Sequence, residues 1–255
     1  MPRIEIFDSH THANTMPNSA LELMGVAGVE GLALCSFTPV ARNPETLSDH
    51  FEELCTFQRD RLDRYGIEAY VFVGIHPLCI PENWKRVLDF MEDYLSDTRA
   101  LGVGEVGLHN FTEKEEEVLS AQLNLAKEYA VPVIVHTPPF ERVRAVEKTI
   151  KLAEKAGVDF GKLVIDHTAL DTIAMVNDSG AIPGLSIKPN FLSAEDVVAN
   201  LDDFEAGLLN SDCANVTNTD PLAVPKAVNF MLREGVERSI VERMCWRNAR
   251  DVYGL

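Results

Sequence analysis

The chain alternates eight short runs rich in valine, isoleucine and leucine with longer amphipathic segments, and this alternation constrains the fold most. The pattern is typical of repeated βα units that build a parallel sheet. The predicted strands span residues 4–8, 31–36, 68–74, 100–105, 131–136, 162–166, 182–187 and 208–211. Eight such units in 255 residues match the size of one TIM (β/α)8 barrel. We therefore predict an α/β fold with a single barrel domain over residues 1–255.

The segments between the strands have helical periodicity. The predicted helices span residues 19–28, 44–65, 81–97, 112–129, 140–156, 170–177, 193–200 and 221–234, with an extra C-terminal helix over 237–252 that closes the bottom or the side of the barrel. Thr112 with Glu115 and Ser193 with Asp196 resemble capping boxes, which satisfy free N–H groups where a helix begins. The longer loops at the C-terminal ends of the strands are expected to form the walls of a substrate site, and they span residues 11–18, 36–44, 75–81 and 213–221.

The charge balance restricts the kind of partner. The chain has 40 Asp and Glu against 23 Lys and Arg, a formal net charge of −17. Such a surface repels polyanions on average, so a nucleic-acid substrate would need a local basic groove or help from metal ions. Duplex nucleic acid is therefore not an expected partner, whereas a small molecule or a short nucleotide is.

The cysteines and the apolar runs indicate the compartment. Five cysteines, odd in number and without a C-x-x-C spacing, indicate neither a disulfide framework nor a thiolate zinc site. The N-terminal residues enter a strand directly, without the layout of a signal peptide, and no apolar run has membrane-spanning length. We therefore expect a soluble, cytoplasmic protein without a membrane partner.

Several side chains that bind divalent metals follow the ends of the predicted strands. A barrel gathers these ends around one cavity, so residues far apart in sequence meet there. Each has an ordinary explanation by itself, such as a packed histidine, a salt-bridged glutamate or a helix-capping aspartate. Because all of them fall at the same level of the predicted barrel, we predict a metal centre formed by His10, His12, Glu105, His136, His167 and Asp212.

The first strand carries an H-x-H pair. Side chains at i and i+2 of a strand face the same way, so His10 and His12 can bind one metal. Asp8 shares this parity and is predicted to orient an imidazole through its second nitrogen. Glu105 ends an apolar run, where a buried carboxylate is costly unless positive charge or metal lies beside it. Nitrogen and oxygen ligands without thiolate suit zinc, manganese, cobalt or iron, and a carboxylate-rich part admits magnesium.

The ordered motifs resemble the TatD-like family of metal-dependent hydrolases in the amidohydrolase superfamily. The resemblance extends over nearly the whole chain and rests on DSHTH at residues 8–12, GIHP at 74–77, GEVGL at 104–108, PVIVH at 132–136, His167, Ser211 with Asp212, and the closing RNARDVYGL. It implies a TIM barrel with a binuclear metal centre that holds two divalent ions, zinc or manganese ahead of magnesium.

The resemblance also implies roles for the candidate residues. One metal is surrounded by four residues, His10, His12, Glu105 and Asp212. The other is surrounded by three, so that Glu105 bridges: Glu105, His136 and His167. A metal-bound hydroxide then attacks a phosphoester, as in a nuclease or phosphodiesterase, while Asp212 takes the proton and can return it to the leaving group. His76 is similar to a family residue near the substrate's oxygen anions.

Two departures from the nuclease members concern phosphate contacts. His109 replaces the aspartate of a common GLD sequence, and His136, Thr137 and Pro138 stand where H-S-R is common. The missing arginine removes a bidentate phosphate contact, which argues against DNA cleavage. His109 and Lys188 are further candidates for substrate binding, Lys188 through an anionic group. His50 is expected to be solvated, and the thiol of Cys213 to point away from the site.

Three alternatives stay open at this point. One is hydrolysis of a lactone or cyclic amide, because fold and metal centre do not define the substrate. Another is a metal-bound small-molecule binding protein without turnover, which would have no need of Asp212 as a base. The third is the distorted barrel of the polymerase-and-histidinol-phosphatase family, which also begins with H-x-H but usually ends with D-x-H, where this chain has Ser211, Asp212 and Cys213.

Overall fold

A computed structural model describes residues 3–215 and 218–255 of the chain. Residues 1–2 and 216–217 lie outside the described residues, so the predicted loop 213–221 is described only in part.

The strands form one barrel, as predicted. All neighbouring strands pair in parallel and in sequence order. The last strand returns to the first, because the N–H of Asp212 donates to the carbonyl of His10 at 3.0 Å and that of His12 donates to Cys213 at 2.9 Å. The strands are β1 (Ile6–Thr11), β2 (Val29–Cys35), β3 (Glu68–Val73), β4 (Gly102–Gly107), β5 (Val133–His136), β6 (Leu163–Ile165), β7 (Ile182–Ser186) and β8 (Leu208–Asn210).

Alternate residues of the strands face different layers. In β2, Ala33 and Cys35 belong to a small inner cluster with Phe7 and Phe72. Their neighbours Leu32 and Leu34 belong to the larger cluster beneath the surrounding helices. This period of two is the ordinary consequence of an extended chain, and it leaves both faces of the parallel strands buried.

Helices cover the outside of the barrel. They are α1 (Asn18–Ala27), α2 (Pro44–Glu53), α3 (Arg59–Asp63), α4 (Lys85–Ser96), α5 (Glu113–Tyr129), α6 (Arg142–Ala156), α7 (Ile173–Ser179), α8 (Ala194–Ala199), α9 (Leu201–Phe204), α10 (Ala223–Arg233), α11 (Arg238–Glu242) and α12 (Asn248–Tyr253). A π-helical turn over Leu54–Gln58 divides the helix predicted at 44–65. A turn over residues 82–84 delays the start of α4, and α9 was not predicted.

Only one of the two predicted capping boxes is complete. Ser193 and Asp196 satisfy each other's backbone N–H groups at the start of α8. At the start of α5, the hydroxyl of Thr112 accepts from the N–H of Glu115, but the glutamate side chain does not return the bond. Its carboxylate instead accepts N–H bonds from residues 109–111 of the preceding loop. The prediction of a full box at Thr112 was therefore wrong.

The C-terminal helical segment lies against the inner cluster of the barrel. It consists of α11, a π-helical turn over Arg243–Arg247 and α12. Ala249 and Tyr253 belong to the cluster that contains Phe7 and Phe72. The hydroxyl of Tyr253 donates to the carbonyl of Ser9 at 3.0 Å. The extra C-terminal helix thus packs on the barrel interior.

None of the helices in residues 3–215 and 218–255 combines the length and apolarity needed to cross a membrane. The five cysteines are buried free thiols.

Candidate metal centre

The six residues predicted as metal ligands meet at the C-terminal ends of the strands. Five of them line a cavity of about 250 Å³, namely His12, Glu105, His136, His167 and Asp212. His10 lies directly beside them, with its Nε2 3.3 Å from Nε2 of His12. All six are buried or nearly so. The barrel therefore assembles residues that are up to 202 positions apart into one polar cluster.

Glu105 occupies the centre of this cluster, and its two carboxylate oxygens face different imidazoles. Oε2 lies 3.2 Å from Nε2 of His12 and 3.4 Å from Nε2 of His10. Oε1 lies 2.9 Å from Nδ1 of His136 and 3.5 Å from Nε2 of His167. A carboxylate placed in this way can contact two ions at once, one through each oxygen.

The carboxylates of the cluster are anionic despite their burial. Burial alone would raise the pKa of Glu105, but the charge of His10 and hydrogen bonds from His10 and His12 hold it well below its ordinary value. The pKa of Asp212 is also lowered against the effect of burial, chiefly by a hydrogen bond from His12. Both side chains therefore offer negative oxygens to a cation.

His10 and His12 both present Nε2 to the cavity because Nδ1 is held elsewhere. Nδ1 of His12 lies 3.0 Å from the carbonyl oxygen of Cys35, which only accepts, so this nitrogen carries the proton. Nδ1 of His10 contacts the carboxylate of Asp166. Such partners fix the orientation of metal-binding histidines, so that an ion would bind at Nε2 in place of the proton on that nitrogen.

Asp166 is a site residue that the sequence analysis missed. Its carboxylate contacts His10, accepts from the amide of Asn210 at 2.8 Å, and lies 3.5 Å from Nδ1 of His167. Burial would raise its pKa, but the charges of the two histidines lower it to about 2. The fit is close, because a β-carbon at Gly184 would collide with Oδ1 of Asp166. An aspartate next to a strand-end histidine was the signal that could have identified it.

Asp8 does not take the position that was predicted for it. Its Oδ1 accepts from the N–H of Ser211 at 2.9 Å, and Oδ2 has no hydrogen-bond partner among the described residues. Burial raises the pKa of Asp8 to about 7. The imidazole-orienting contact to His10 comes from Asp166, because the end of β6 and not the start of β1 lies beside that ring.

His167 and Asp212 have backbone conformations that side chains rarely adopt. Their φ angles are 58° and 42°, in the left-handed region. His167 is further held by Ser186, whose Oγ lies 2.7 Å from Nδ1, so Nε2 points toward the cavity. Strained backbone of this kind persists where surrounding structure demands it, and it is frequent at functional sites.

His76 faces the cavity as a hydrogen-bond donor. The N–H of Leu78 donates to its Nδ1 at 3.2 Å, so the proton of the neutral ring is on Nε2. Burial lowers the pKa of His76 to about 3, which keeps the ring neutral. Nε2 lies 3.7 Å from Oε2 of Glu105. Although His76 is close enough to Glu105 to share an ion with it, this tautomer suits donation to an oxygen better than metal binding.

His109 lies behind His136 and is not among the described residues that line the cavity. Its Nδ1 is 3.1 Å from Nε2 of His136, and Phe140 packs edge-on against its ring. The backbone N–H of His109 donates to Glu115 at 2.9 Å, as do those of residues 110 and 111. Glu115 therefore anchors the loop that places His109 against His136.

Lys188 is the only lysine or arginine among the described residues that line the cavity. Its ammonium pairs with the carboxylate of Asp212 and lies 4.2 Å from the ring centre of Phe191. The other walls are apolar. Phe37, Leu78 and Ala214 come from loops predicted to form substrate walls, whereas Pro139 and Phe191 come from the loops after β5 and β7, which were not predicted to do so.

His50 and Cys213, whose positions were also predicted, lie outside the cavity. His50 is buried on α2 with 8% exposure, so the expectation that it is solvated was wrong. It faces inward because it shares the apolar stripe of Leu47 and Phe51. The thiol of Cys213 contacts the sulfur of Met16 at 3.6 Å, away from the cavity.

The cluster contains three groups of side chains with potential ligand atoms within 4.8 Å of one another. They are His10 with His12 and Asp212, His10 with Asp166 and His167, and His76 with Glu105 and His136. The donor atoms are imidazole nitrogens and carboxylate oxygens, which suit zinc, manganese or iron. These residues fit divalent ions.

Comparison with known proteins gives a consistent result. A family model described as TatD related DNase matches residues 7–254. An uncharacterized metal-dependent hydrolase of Methanocaldococcus jannaschii is 28% identical over 252 residues, which cover 98% of this chain and 100% of that protein. The crystal structure of a TatD-like protein of Archaeoglobus fulgidus is 32% identical, with a TM-score of 0.85 and coverage of 98% of this chain and 100% of that chain.

More distant structures share the fold alone. The phosphotriesterase homology protein of Escherichia coli, solved with phosphate in its active site, is 16% identical with a TM-score of 0.74. Its match covers 99% of this chain and 100% of that chain. The match to the family model, together with the eight-stranded barrel, decides against the distorted barrel of the polymerase-and-histidinol-phosphatase family.

Proposed function

Because the chain belongs to the TatD-related DNase family and is a TatD-like metal-dependent hydrolase, we propose that it uses two divalent metal ions to hydrolyse a small phosphoester. The observation that carries this proposal is the placement of Glu105, whose two oxygens face separate pairs of imidazoles. A single-metal site has no need of such a bridging carboxylate at its centre.

The proposed ligand sets are those that the family resemblance implies, and the contacts of Glu105 support them. One ion would be held by four side chains, His10, His12, Glu105 and Asp212. The second would be held by three, Glu105, His136 and His167. Zinc and manganese are the expected ions, since imidazole and carboxylate suit both. Bound ions of this kind make water acidic enough to supply the nucleophile near neutral pH and hold the attacking and leaving oxygens.

The surrounding side chains have separate tasks. Asp212 takes the proton of the attacking water through a carboxylate oxygen and returns it to the leaving oxygen. His76 donates its Nε2–H to a substrate oxygen, which its tautomer supports. Lys188 binds a negative oxygen of the substrate through its ammonium. The apolar walls at Phe37 and Phe191 exclude water from the reacting group.

The test combines metal content with turnover. The purified protein is analysed for zinc and manganese and then assayed with methyl p-nitrophenyl phosphate, p-nitrophenyl phosphate and a γ-lactone. We expect close to two ions per chain and hydrolysis of the phosphodiester. Asp212→Asn should keep the fold and most of the metal but lower kcat roughly 10²- to 10⁴-fold, the usual contribution of a general base.

Matched variants separate the roles. Glu105→Ala should lose metal, because both ions would share this carboxylate. Asp171→Asn is the control, since Asp171 pairs with Arg142 on the surface, outside the metal-centre cavity. Turnover of the lactone alone would contradict the phosphoester assignment, and a folded protein that takes up no metal would contradict the metal centre itself.

A further inference from the structure

A groove of about 610 Å³ adjoins the cavity of the metal centre. It lies between the loop that follows β7 and the helices α8 and α10. Lys188 and Phe191 line both the groove and the metal-centre cavity. The two residues thus form a wall common to both cavities, and a molecule bound beside Lys188 lies next to the groove.

The wall shared by the two cavities is held by backbone hydrogen bonds. The N–H of Phe191 donates to the carbonyl of Lys188 at 3.1 Å, and that of Leu192 donates to Ser186 at 3.3 Å. The capping box of Ser193 fixes the start of α8 directly after this loop. These hydrogen bonds fix the conformation of the loop that forms one wall of the groove.

The groove is mainly apolar. Half-buried or buried apolar side chains from the loop and from α10 form most of its surface, namely Ile187, Leu192, Ala223, Ala227 and Phe230. Apolar surface of this extent next to a polar site favours an apolar group of a ligand, because covering it removes that surface from water.

The charges along the groove exclude a polyanion. Its charged lining residues are Lys188 and Lys226 against Glu195, Asp196 and Asp220. Lys226 pairs with Asp220 and Lys188 pairs with Asp212, but Lys188 also lines the metal-centre cavity, so it is the lysine that an anionic group near the metal ligands would contact. A nucleic-acid strand along this path would place further phosphates beside carboxylates and would be repelled.

We propose that this groove is the subsite for an uncharged, apolar part of the substrate, whose single anionic reacting group lies at Lys188. The substrate is accordingly a small amphiphilic monoanion, with an alkyl or aryl group, and not a polynucleotide. The inference rests on the proposed function for the chemistry at the metals, but the groove itself can be tested by binding alone.

The probes are methyl methylphosphonate and hexyl methylphosphonate, two monoanions that differ only in the length of the ester chain. Their Kd values are measured by calorimetry on the metal-loaded protein. We expect the hexyl ester to bind at least tenfold more tightly, a difference of about 1.4 kcal/mol. Phe230→Asp places a charge in the groove and should abolish this preference.

Leu232→Asp is the matched control, because Leu232 lies on the same helix but does not line the groove. It should keep the preference of the unaltered chain. Ala194→Trp fills the groove from α8 and gives a second test if Phe230→Asp folds poorly. It should remove the preference for the hexyl ester as well.

Three results would overturn the proposal. They are equal affinity for both esters, equal behaviour of the Phe230 and Leu232 variants, and tighter binding of a dinucleotide than of the hexyl ester. Failure of the proposed function has a different signature: the protein would not hydrolyse methyl p-nitrophenyl phosphate, whatever the chain-length preference in binding.

Discussion

The ammonium of Lys188 pairs directly with the carboxylate of Asp212, and both side chains are nearly buried, with 12% and 11% exposure. The pair joins the two residues to which we assign substrate binding and proton transfer. The ammonium contacts Oδ2, whereas Oδ1 faces His12, so an ion held at Asp212 and the ammonium would lie beside the same carboxylate and their positive charges would repel each other. Lys188 therefore opposes metal binding and supports substrate binding.

Lys188→Met tests these opposite effects. The variant keeps the length of the side chain and its contact with Phe191 but removes the positive charge. We expect tighter binding of zinc, because nearby like charges repel strongly in a buried site. We also expect a KM for methyl p-nitrophenyl phosphate that is raised roughly tenfold or more, since a hydrogen-bonded charge contact is lost.

Lys85→Met provides the control for this experiment. Lys85 pairs with Glu117, but its side chain is 76% exposed and lines neither the metal-centre cavity nor the groove. Both metal affinity and KM should stay near those of the unaltered chain. If Lys188→Met weakened zinc binding, the ammonium would hold Asp212 in position for the ion and would not oppose the binding of the ion.

A second prediction concerns Asp166, which orients His10. Asp166→Asn keeps the shape of the side chain but removes the charge that holds Nδ1 of the imidazole. We expect zinc affinity to fall about 10- to 100-fold, the usual effect of losing such a partner. Competition with a chelator of known affinity measures the change. Asp171→Asn is the control, because Asp171 is exposed and pairs with Arg142 on the surface, and a similar loss there would argue against the assignment.

The sequence predicted the barrel and all six clustered residues because both depend on local patterns. Apolar runs of strand length define the eight strands, and the residue that follows each run lies at the catalytic face by the topology alone. His10, Glu105 and Asp212 were therefore identifiable without knowledge of any contact. Even errors of two residues at the start of β1 and three at its end left the two histidines at the correct end of the strand.

The partners of these residues were not predictable in the same way. Asp8 and Asp166 both stand beside strand-end histidines in the sequence, and only the twist and closure of the barrel decide which of them reaches His10. Glu115 matched a capping box, but a loop with three free N–H groups competed for its carboxylate. Such choices depend on contacts between distant segments, which periodicity does not contain.

Glu115 leads to a third prediction. Glu115→Ala leaves the N–H groups of residues 109–111 without their buried acceptor, so we expect the free energy of unfolding to fall by roughly 1–3 kcal/mol. Urea unfolding measures this loss. Glu117→Ala, on the same helix, removes a side chain that is 59% exposed and that, among the described residues, forms an ion pair with Lys85 alone. Its effect should stay within about 0.5 kcal/mol, and equal losses in the two variants would contradict the anchoring role.

The last prediction concerns His50 and the pH dependence of stability. Burial lowers the pKa of His50 below its ordinary value of 6.5. Between these two pKa values the unfolded chain binds a proton that the folded chain does not, so stability is lost as the pH falls below 6.5. The loss from this group is at most about 1.4 kcal/mol per pH unit.

His50→Gln removes the titrating group while keeping a polar side chain of similar size. In metal-free protein, we expect the free energy of unfolding to fall less between about pH 7.5 and about pH 5 in this variant than in the unaltered chain. Urea unfolding at the two pH values, with a chelator present, measures the difference. A difference in stability between the two proteins at the higher pH does not bear on this test. Only the change in the free energy of unfolding with pH reports the protonation of His50. Parallel losses in both proteins would mean that His50 takes up a proton as easily in the folded chain as in the unfolded one.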